Sequence, residues 1–285
     1  MKNNDIDKHS LDLIINKCII KLDTVLKKYP NKKYIKQLSD IKKRYDDPKL
    51  KLAVIGEFNT GKSTFINALL RKDYLSTDNI PTTVMPTYIR WDGEINTSPT
   101  IKIKFSDDDN EYDIKKNQTF IEKKLRITLN GSDDLEKIVT NNNFIGIVSH
   151  VSVFFPVDNR FEKLILIDTP GTNPGAEETK EHTNITRTLL AKEADATMIL
   201  FPDTTVGNRS ALEFISENAS HLLDEATFII TKSDTIDSQN EMEKISKYLN
   251  GLVKQRYNLN NKTIYSCSAK KLFKQQIKKI TPTHI

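Results

Sequence analysis

The chain has 285 residues, of which 37% are hydrophobic, and a formal net charge of +5. This length suits one large α/β domain with an appendage. Two cysteines are too few for a disulfide framework, and the mild basic charge is spread along the chain, so we expect no nucleic-acid partner. Because the N-terminus lacks an apolar signal core and no segment approaches the roughly 18 apolar residues of a membrane span, we expect a cytoplasmic protein.

The N-terminal part of the chain carries two helical patterns. Apolar residues recur at alternating four- and three-residue steps over residues 11–29, and a shorter pattern covers residues 34–45. A proline follows each pattern and ends it. Such helices are not stable alone in water, so their apolar stripes need cover from the core, a C-terminal helix or another chain. We therefore predict a helical segment at 1–48 and a separate domain at 49–285.

Residues 56–63 read G-E-F-N-T-G-K-S and fit the phosphate-binding pattern G-x-x-x-x-G-K-[ST] at every fixed position. An apolar, strand-like run at 52–55 precedes the loop and a helical pattern at 64–70 follows it, which disfavours an incidental glycine turn. In this arrangement Lys62 contacts the β- and γ-phosphates, and the Ser63 hydroxyl binds Mg²⁺. The predicted phosphate-site residues are Gly56, Glu57, Phe58, Asn59, Thr60, Gly61, Lys62, Ser63 and Thr64.

The region between this loop and residue 164 is longer than a minimal nucleotide-binding domain requires. Its alternating apolar runs predict strands that extend the sheet rather than a second domain, and residues 134–139 begin a helix. The predicted strands are 88–91, 101–105 and 151–155.

A buried-strand pattern at 164–167 places Asp168 at its C-terminal end, where ligands bind in open α/β sheets. Asp168 is the candidate for the Mg²⁺ shell, and the backbone N–H of Gly171 is the candidate contact to the γ-phosphate. An ordinary Asp-Thr-Pro-Gly turn is the alternative interpretation of these residues. Later patterns predict helices at 177–193, 209–223 and 241–257, and a strand at 197–201.

Two further motifs predict recognition of the base. Thr231, Lys232 and Asp234 follow a strand-like run at 226–230 in the pattern [NT]-K-x-D. The Asp234 carboxylate can accept from the two donors on N1 and N2 of guanine, whereas adenine offers no such pair, and Lys232 can lay its stem along the base. A last strand at 262–266 leads to a loop similar to the S-A-K loop whose backbone contacts the guanine oxygen: Ser268, Ala269 and Lys270. The order of these elements predicts a GTP-binding domain.

The segment 80–87 reads I-P-T-T-V-M-P-T and lies a short loop after the first helix of this domain. With the Gly-Glu-Phe-Asn run of the phosphate loop and F-I-N-A-L-L at 65–70, it resembles the bacterial dynamin-like GTPases over approximately residues 49–270. The resemblance implies that Thr83 coordinates Mg²⁺ and senses the γ-phosphate, with Thr82 as the alternative. Ser63, Thr83 and Asp168 are then the predicted metal-site residues.

The same resemblance implies a neck, formed by a helix before and a helix after the GTPase domain. Segment 1–48 would supply the first part, and an amphipathic basic pattern at about 270–280 the last helix. The basic pattern favours docking on protein, with contact to acidic lipid or RNA as the alternatives.

The chain differs from related GTPases at the sequence positions whose side chains orient the attacking water. Eukaryotic dynamins carry a glutamine at the position of Phe58, and Ras-like enzymes carry one after the Asp-Thr-Pro-Gly turn, where Thr172 and Asn173 stand here. Asn59 occupies the position where potassium-activated GTPases hold a monovalent cation beside the phosphates. K⁺ could replace an arginine finger there, and a turn-stabilising asparagine is the equal alternative.

We therefore predict a mixed, mostly parallel α/β sheet with helices on both faces, a P-loop GTPase fold with a helical N-terminal segment. The expected activity is hydrolysis of GTP to GDP with Mg²⁺, and with K⁺ if Asn59 holds that ion. Expected partners are a second copy across the nucleotide face and, through segments of a longer parent protein, a helical chain or a membrane to be remodelled. The alternatives are a nucleotide-gated binding module with negligible turnover and a ribosome-associated GTPase. The catalytic candidates are Lys62, Ser63, Thr83 and Asn59.

Overall fold

The computed structural model describes residues 8–46, 48–57, 59–72, 74–75, 83–92, 98–131, 134–156, 158, 160–171, 179–202, 210–236, 238–259 and 262–272. The chain divides into two compact units, Met1–Lys49 and Leu50–Ile285.

The first unit is a pair of helices, α1 (Lys8–Lys28) and α2 (Lys32–Asp46). The Asn31 side chain begins α2 by accepting from the backbone N–H of Lys33 at 3.0 Å. Asp23 of α1 and Lys42 of α2 form an ion pair of 2.7 Å. Much of the apolar surface of the pair nevertheless stays exposed, including Leu13, Ile14, Ile20, Leu22, Val25, Tyr34, Ile35 and Ile41.

The second unit is built on a nine-stranded sheet in the order β4-β3-β5-β2-β6-β1-β7-β8-β9. Parallel pairs predominate, and the antiparallel pairs are β2 with β6, β3 with β4 and β3 with β5. The strands are β1 (Leu50–Gly56), β2 (Thr87–Asp92), β3 (Thr100–Phe105), β4 (Glu111–Asp113), β5 (Val148–Pro156), β6 (Leu164–Asp168), β7 (Ala196–Pro202), β8 (Thr227–Thr231) and β9 (Ile264–Ser266).

Helices cover both faces of this sheet. One core includes Ile66, Ile121 and Ile138 and lies under the first three helices of the second unit. The other core includes Leu190, Ile215 and Val253 and lies under the last three helices of that unit. Burying apolar side chains on both faces is the arrangement that largely parallel sheets require. The helices are α3 (Lys62–Leu70), α4 (Gln118–Leu125), α5 (Asp134–Val139), α6 (Thr179–Lys192), α7 (Ser210–Ala219) and α8 (Gln239–Tyr257).

The predicted fold class is confirmed, and the region before residue 164 extends the same sheet. Sequence reasoning missed β4, a three-residue strand, and α4, which follows it. The helix predicted over 209–223 is too long, because α7 ends at Ala219 and a tight 3₁₀ turn, Ser220–Leu222, follows. Residues 269–272 are helical, and the rest of the helix predicted to about 280 lies outside the described residues.

Candidate nucleotide site

The phosphate loop leaves β1 at a glycine that has no room for a side chain. A β-carbon on Gly56 would lie 2.5 Å from Thr60 Oγ1 and 3.0 Å from the carbonyl oxygen of Leu200. Thr60 is fully buried, and its hydroxyl donates to the Glu57 carbonyl at 2.9 Å. The loop then turns through left-handed backbone at Asn59 (φ 58°) and Gly61 (φ 83°), conformations that asparagine and glycine tolerate best.

Lys62, the first residue of α3, folds back over the loop. Its ammonium donates to the carbonyl oxygens of Gly56 at 3.0 Å and Glu57 at 2.9 Å. Desolvation lowers the pKa of Lys62 to about 8, and the charges of Asp168 and Glu57 oppose this change. The ammonium therefore stays protonated at neutral pH and is held inside the loop at the N-terminus of a helix, where anions are favoured.

Three predicted metal-site residues meet at the buried end of β6. Asp168 Oδ2 accepts from the hydroxyl of Ser63 at 3.1 Å and from that of Thr83 at 3.3 Å. Asp168 is fully buried, and burial raises its pKa to about 6 although Lys62 and the two hydroxyls lower it. Its other carboxylate oxygen, Oδ1, is buried without a hydrogen-bond partner among the described residues.

This oxygen set fits Mg²⁺. Magnesium prefers hard oxygen ligands, and it is usually held by one or two carboxylates together with substrate phosphates rather than by a protein cage. Within the described part of the chain no group of three histidine, cysteine, aspartate or glutamate residues offers a cage of that kind. One buried carboxylate with two hydroxyls beside a phosphate loop matches a magnesium site that substrate phosphates complete.

The turn after Asp168 is tied to the surrounding elements. The Thr169 hydroxyl donates to the Val54 carbonyl at 2.8 Å, and Thr186 of α6 donates to the Pro170 carbonyl at 3.3 Å. Gly171 ends the described part of this turn and is half-buried.

The predicted base-reading residues also come together. Asp234 lies in a short 3₁₀ turn after β8, and a hydrogen bond from the Ser268 hydroxyl keeps the pKa of its carboxyl below the usual value. The backbone N–H of Ser233 donates to the Cys267 carbonyl at 3.3 Å, which fixes the two loops side by side. Lys232, Asp234 and Lys270 are exposed, whereas Ala269 is buried.

A hydrogen bond connects the phosphate loop to strand β8, which precedes the predicted base-reading residues. The Thr231 hydroxyl donates to the Thr60 carbonyl at 2.7 Å and lies 3.2 Å from the Phe201 carbonyl. Sequence reasoning placed Thr231 at the base but did not predict this connection, because the two residues lie far apart in the chain.

Asn67 of α3 was missed altogether. This buried amide donates to the Leu75 carbonyl at 2.8 Å and accepts from the N–H groups of Tyr74 at 3.1 Å and Leu75 at 2.9 Å. It thereby fixes the start of the segment that leads toward Thr83. A single asparagine among the apolar residues of 65–70 was the available signal.

Some predictions fall on residues outside the described part of the chain. They concern Phe58, the alternative switch residue Thr82, and Thr172 and Asn173 after the Asp168 turn. Asn59 is described and exposed, and Thr64 is half-buried in the first turn of α3.

A phosphate loop after β1, an aspartate at the end of β6 and a base-reading turn after β8 define a P-loop GTPase domain. Residues 52–233 match the Dynamin_N model of the dynamin family. The matched region is more than half of the chain, and this chain belongs to the dynamin family.

Two relatives are similar to this chain over most of its length. The protein named "Uncharacterized protein in xynA 3'region" of Caldicellulosiruptor sp. (strain Rt8B.4) is 28% identical over 252 residues, covering 87% of this chain and 56% of that protein. Dynamin-like protein 2 of Campylobacter jejuni subsp. jejuni serotype O:23/36 (strain 81-176) is 24% identical over 218 residues, covering 74% of this chain and 30% of that protein.

A solved structure shares the fold. It is described as "An oligomerised bacterial dynamin pair provides a mechanism for the long range sensing and tethering of membranes", and it superposes with a TM-score of 0.58 at 19% sequence identity. The match covers 97% of this chain and 41% of that chain. This chain therefore spans about half, or less, of the length of the proteins that it matches. Of its described helices, none combines the length and apolar character that crossing a bilayer requires.

Proposed function

We propose that this protein binds GTP with Mg²⁺ and hydrolyses it to GDP. The observation that carries the proposal is the meeting of the Ser63 and Thr83 hydroxyls at Asp168 Oδ2, beside a phosphate loop that holds the Lys62 ammonium. Ser63 and Lys62 lie in α3, Thr83 lies in the segment before β2, and Asp168 lies in β6. The carboxylate of Asp168 is thus contacted both by a residue of a helix and by the predicted switch threonine.

Each residue has a distinct part in this proposal. Lys62 binds the β- and γ-phosphates and offsets the negative charge that develops on them. Ser63, Thr83 and Asp168 hold Mg²⁺, which supplies further charge stabilisation at the phosphates when it is bound. The N–H of Gly171 faces the γ-phosphate. Since Thr83 precedes β2 in an irregular segment, it can sense whether that phosphate is present.

Base choice rests on Asp234. Its carboxylate accepts from the Ser268 hydroxyl and keeps a depressed pKa, so at neutral pH it is ionised and able to accept from guanine N1 and N2. Lys232 and the backbone of Ser268, Ala269 and Lys270 complete the base contact in this proposal.

We further propose that a second molecule completes the catalytic site. In the sequence, Phe58 and Thr172 replace the glutamines that orient water in related enzymes, so one chain offers no such side chain at these positions. The similar structure described as an oligomerised dynamin pair supports pairing. Pairing across the nucleotide faces would bring the missing groups to the phosphates.

A monovalent ion is part of the same proposal. Asn59 is exposed in a left-handed turn beside the phosphate site, and its carbonyl oxygen could hold K⁺ there. Hydrolysis in potassium should then exceed hydrolysis in choline or caesium at equal ionic strength, and Asn59→Ala should remove the difference. Equal rates in all three salts would leave Asn59 as a turn residue only.

The helical segment 1–48 would act as part of a neck, and the whole protein would work at a membrane surface. The exposed apolar residues of α1 and α2 support the first point, because such surface needs a partner. The tethering of membranes named for the similar structure supports the second.

Calorimetry and turnover together test the proposal. GTP and GDP should bind at least about tenfold tighter than ATP and ADP, and Asp234→Asn should lose that preference because its amide sets a donor against a donor. The hydrolysis rate per molecule should rise with protein concentration. Equal affinity for ATP would contradict the assignment of GTP, and tight GTP binding with negligible turnover at every concentration would favour a nucleotide-gated binding module.

A further inference from the structure

A second threonine of β2 lies beside Asp168. Strands β2 and β6 run antiparallel, and their register pairs Thr87 with Asp168 directly. Opposed residues of an antiparallel pair project their side chains from the same face of the sheet, with β-carbons about 5 Å apart. Thr87 and Asp168 are both fully buried. The Thr87 hydroxyl therefore belongs to the same enclosed region as the carboxylate.

Both side chains have a polar atom without a partner. Thr87 Oγ1 and Asp168 Oδ1 are buried, and neither makes a hydrogen bond to another described residue. A buried hydroxyl without a partner is unfavourable, and a buried carboxylate oxygen without one is more so. One atom is a donor and the other an acceptor. No direct hydrogen bond joins them in the structure, and one water between opposed residues of a strand pair can bridge two such groups.

The geometry gives this pair a task at the proposed magnesium site. Ser63 and Thr83 both donate to Oδ2, so the two hydrogen bonds hold one oxygen of the carboxylate and none holds the other. A third donor at Oδ1 would fix the plane. We propose that Thr87 is a positioning residue that holds Asp168 Oδ1 through one bridging water and so orients the carboxylate toward bound Mg²⁺.

Thr87 differs from Thr83 in what it can sense. Thr87 lies in a strand that pairs with β5 on one side and β6 on the other, so its position is set by the sheet. Thr83 precedes this strand, and its neighbour Val84 donates to the Val139 carbonyl at 2.7 Å. Thr87 should therefore support Mg²⁺ equally in the diphosphate and triphosphate states, whereas in the proposed function Thr83 responds to the γ-phosphate.

The chain offers a matched control. Thr197 of β7 is also fully buried, and its hydroxyl has no hydrogen-bond partner in the described part of the chain. Alternation along the strand places it with Ile199 and Phe201 in the core of the opposite face. Thr87→Val and Thr197→Val each replace a buried, unpartnered hydroxyl by a methyl group of similar volume. Only the first change removes a donor near Asp168.

The experiment measures binding of fluorescent GDP and of a non-hydrolysable GTP analogue during Mg²⁺ titration, with an EDTA baseline. Thr87→Val should raise the Mg²⁺ concentration for half-maximal effect about tenfold with both nucleotides, the usual loss for one hydrogen bond to a charged group. Thr87→Ser should restore the wild-type midpoint, Thr197→Val should leave it unchanged, and affinity in EDTA should be equal for all four proteins. If Thr87→Val does not fold, Thr87→Ala makes the same test.

This inference rests on the proposed function, and the two can fail separately. A wild-type midpoint retained in Thr87→Val, an equal shift in Thr197→Val, or no recovery in Thr87→Ser would overturn the role of Thr87 while Mg²⁺-dependent guanine nucleotide binding stands. A wild-type protein whose guanine nucleotide binding ignores Mg²⁺ would overturn both.

Discussion

At the residue scale, Gly56 is the tightest position in the phosphate loop. A methyl group there would collide with the Thr60 hydroxyl and the Leu200 carbonyl, and Thr60 is held by Glu57 and by Thr231. We expect Gly56→Ala to destabilise the protein by about 1–3 kcal/mol, as overpacking does, and to weaken GDP binding because the loop must shift. Urea unfolding and GDP titration measure the two effects.

Gly251 provides the comparison. It lies inside α8, and a β-carbon there would meet no atom within 4 Å. Gly251→Ala should therefore stabilise the protein by about 0.5–1 kcal/mol and leave GDP binding unchanged. If both alanine variants behaved alike, the contacts around Gly56 would not be the cause.

A pH dependence follows from Asp168. Burial raises its pKa from 3.8 to about 6, so the folded protein binds its proton more tightly than the unfolded chain. A raised folded pKa contributes stability that is present below about pH 4 and is lost as the pH rises through about 6. In EDTA and without nucleotide, Asp168→Asn should gain up to about 3 kcal/mol relative to wild type over this interval.

Urea unfolding at pH 4.5 and pH 7 checks this expectation. Lys62, whose pKa is lowered to about 8, stays protonated across that range and does not contribute to the change. The same variant should lose Mg²⁺-dependent nucleotide affinity. If the stability of Asp168→Asn relative to wild type did not increase with pH, burial would not disfavour the ionised form of Asp168 in the folded protein.

Sequence reasoning identifies the residues of a site better than their mutual contacts. Lys62, Ser63 and Asp234 could be predicted as site residues from spacing, because binding of phosphate and of guanine requires particular residue types within a few adjacent positions. The hydrogen bond from Thr231 to the Thr60 carbonyl could not, because it depends on how β8 aligns with the loop after β1. The pairing of Thr87 with Asp168 likewise needs the strand register.

At the element scale, Asn67 ties α3 to the segment that follows it. Asn67→Ala removes three hydrogen bonds to the backbone of Tyr74 and Leu75, two of them buried, so we expect the free energy of unfolding to fall by about 2–4 kcal/mol. Asn218→Ala is the control, since Asn218 is half-buried in α7 and, among the described residues, donates to the Phe214 carbonyl within its own helix. Chemical denaturation of both variants should separate them by at least about 1 kcal/mol.

The long elements were predictable and the short ones were not. Strands β1, β6, β7 and β8 are built around largely apolar runs, and α8 has a sustained helical period, so pattern and element agree. Strand β4 has three half-buried residues and exists because its partner β3 supplies the hydrogen bonds. Strand order is a tertiary property, and no local pattern indicated that β2 runs antiparallel to β6.

At the scale of the whole molecule, the two cores lie entirely within the second unit. A chain that begins at residue 49 should therefore fold cooperatively and bind GDP within roughly threefold of the full chain, since every residue of the proposed site is retained. Thermal unfolding and GDP titration of the shortened chain test this. Loss of cooperative unfolding would mean that the domain needs the N-terminal helices for its stability.

The position of β1 in the sheet has a consequence for synthesis of the protein. This strand is the first of the nine to be made, yet its neighbours β6 and β7 lie more than a hundred residues further along the chain. While the ribosome adds those residues, the apolar strand β1 has neither of its partner strands. Pairing between strands that are distant in sequence is also slow. Refolding should accordingly be slow for a domain of this size, and the incomplete chain should depend on chaperones that cover exposed β1 until β7 has emerged.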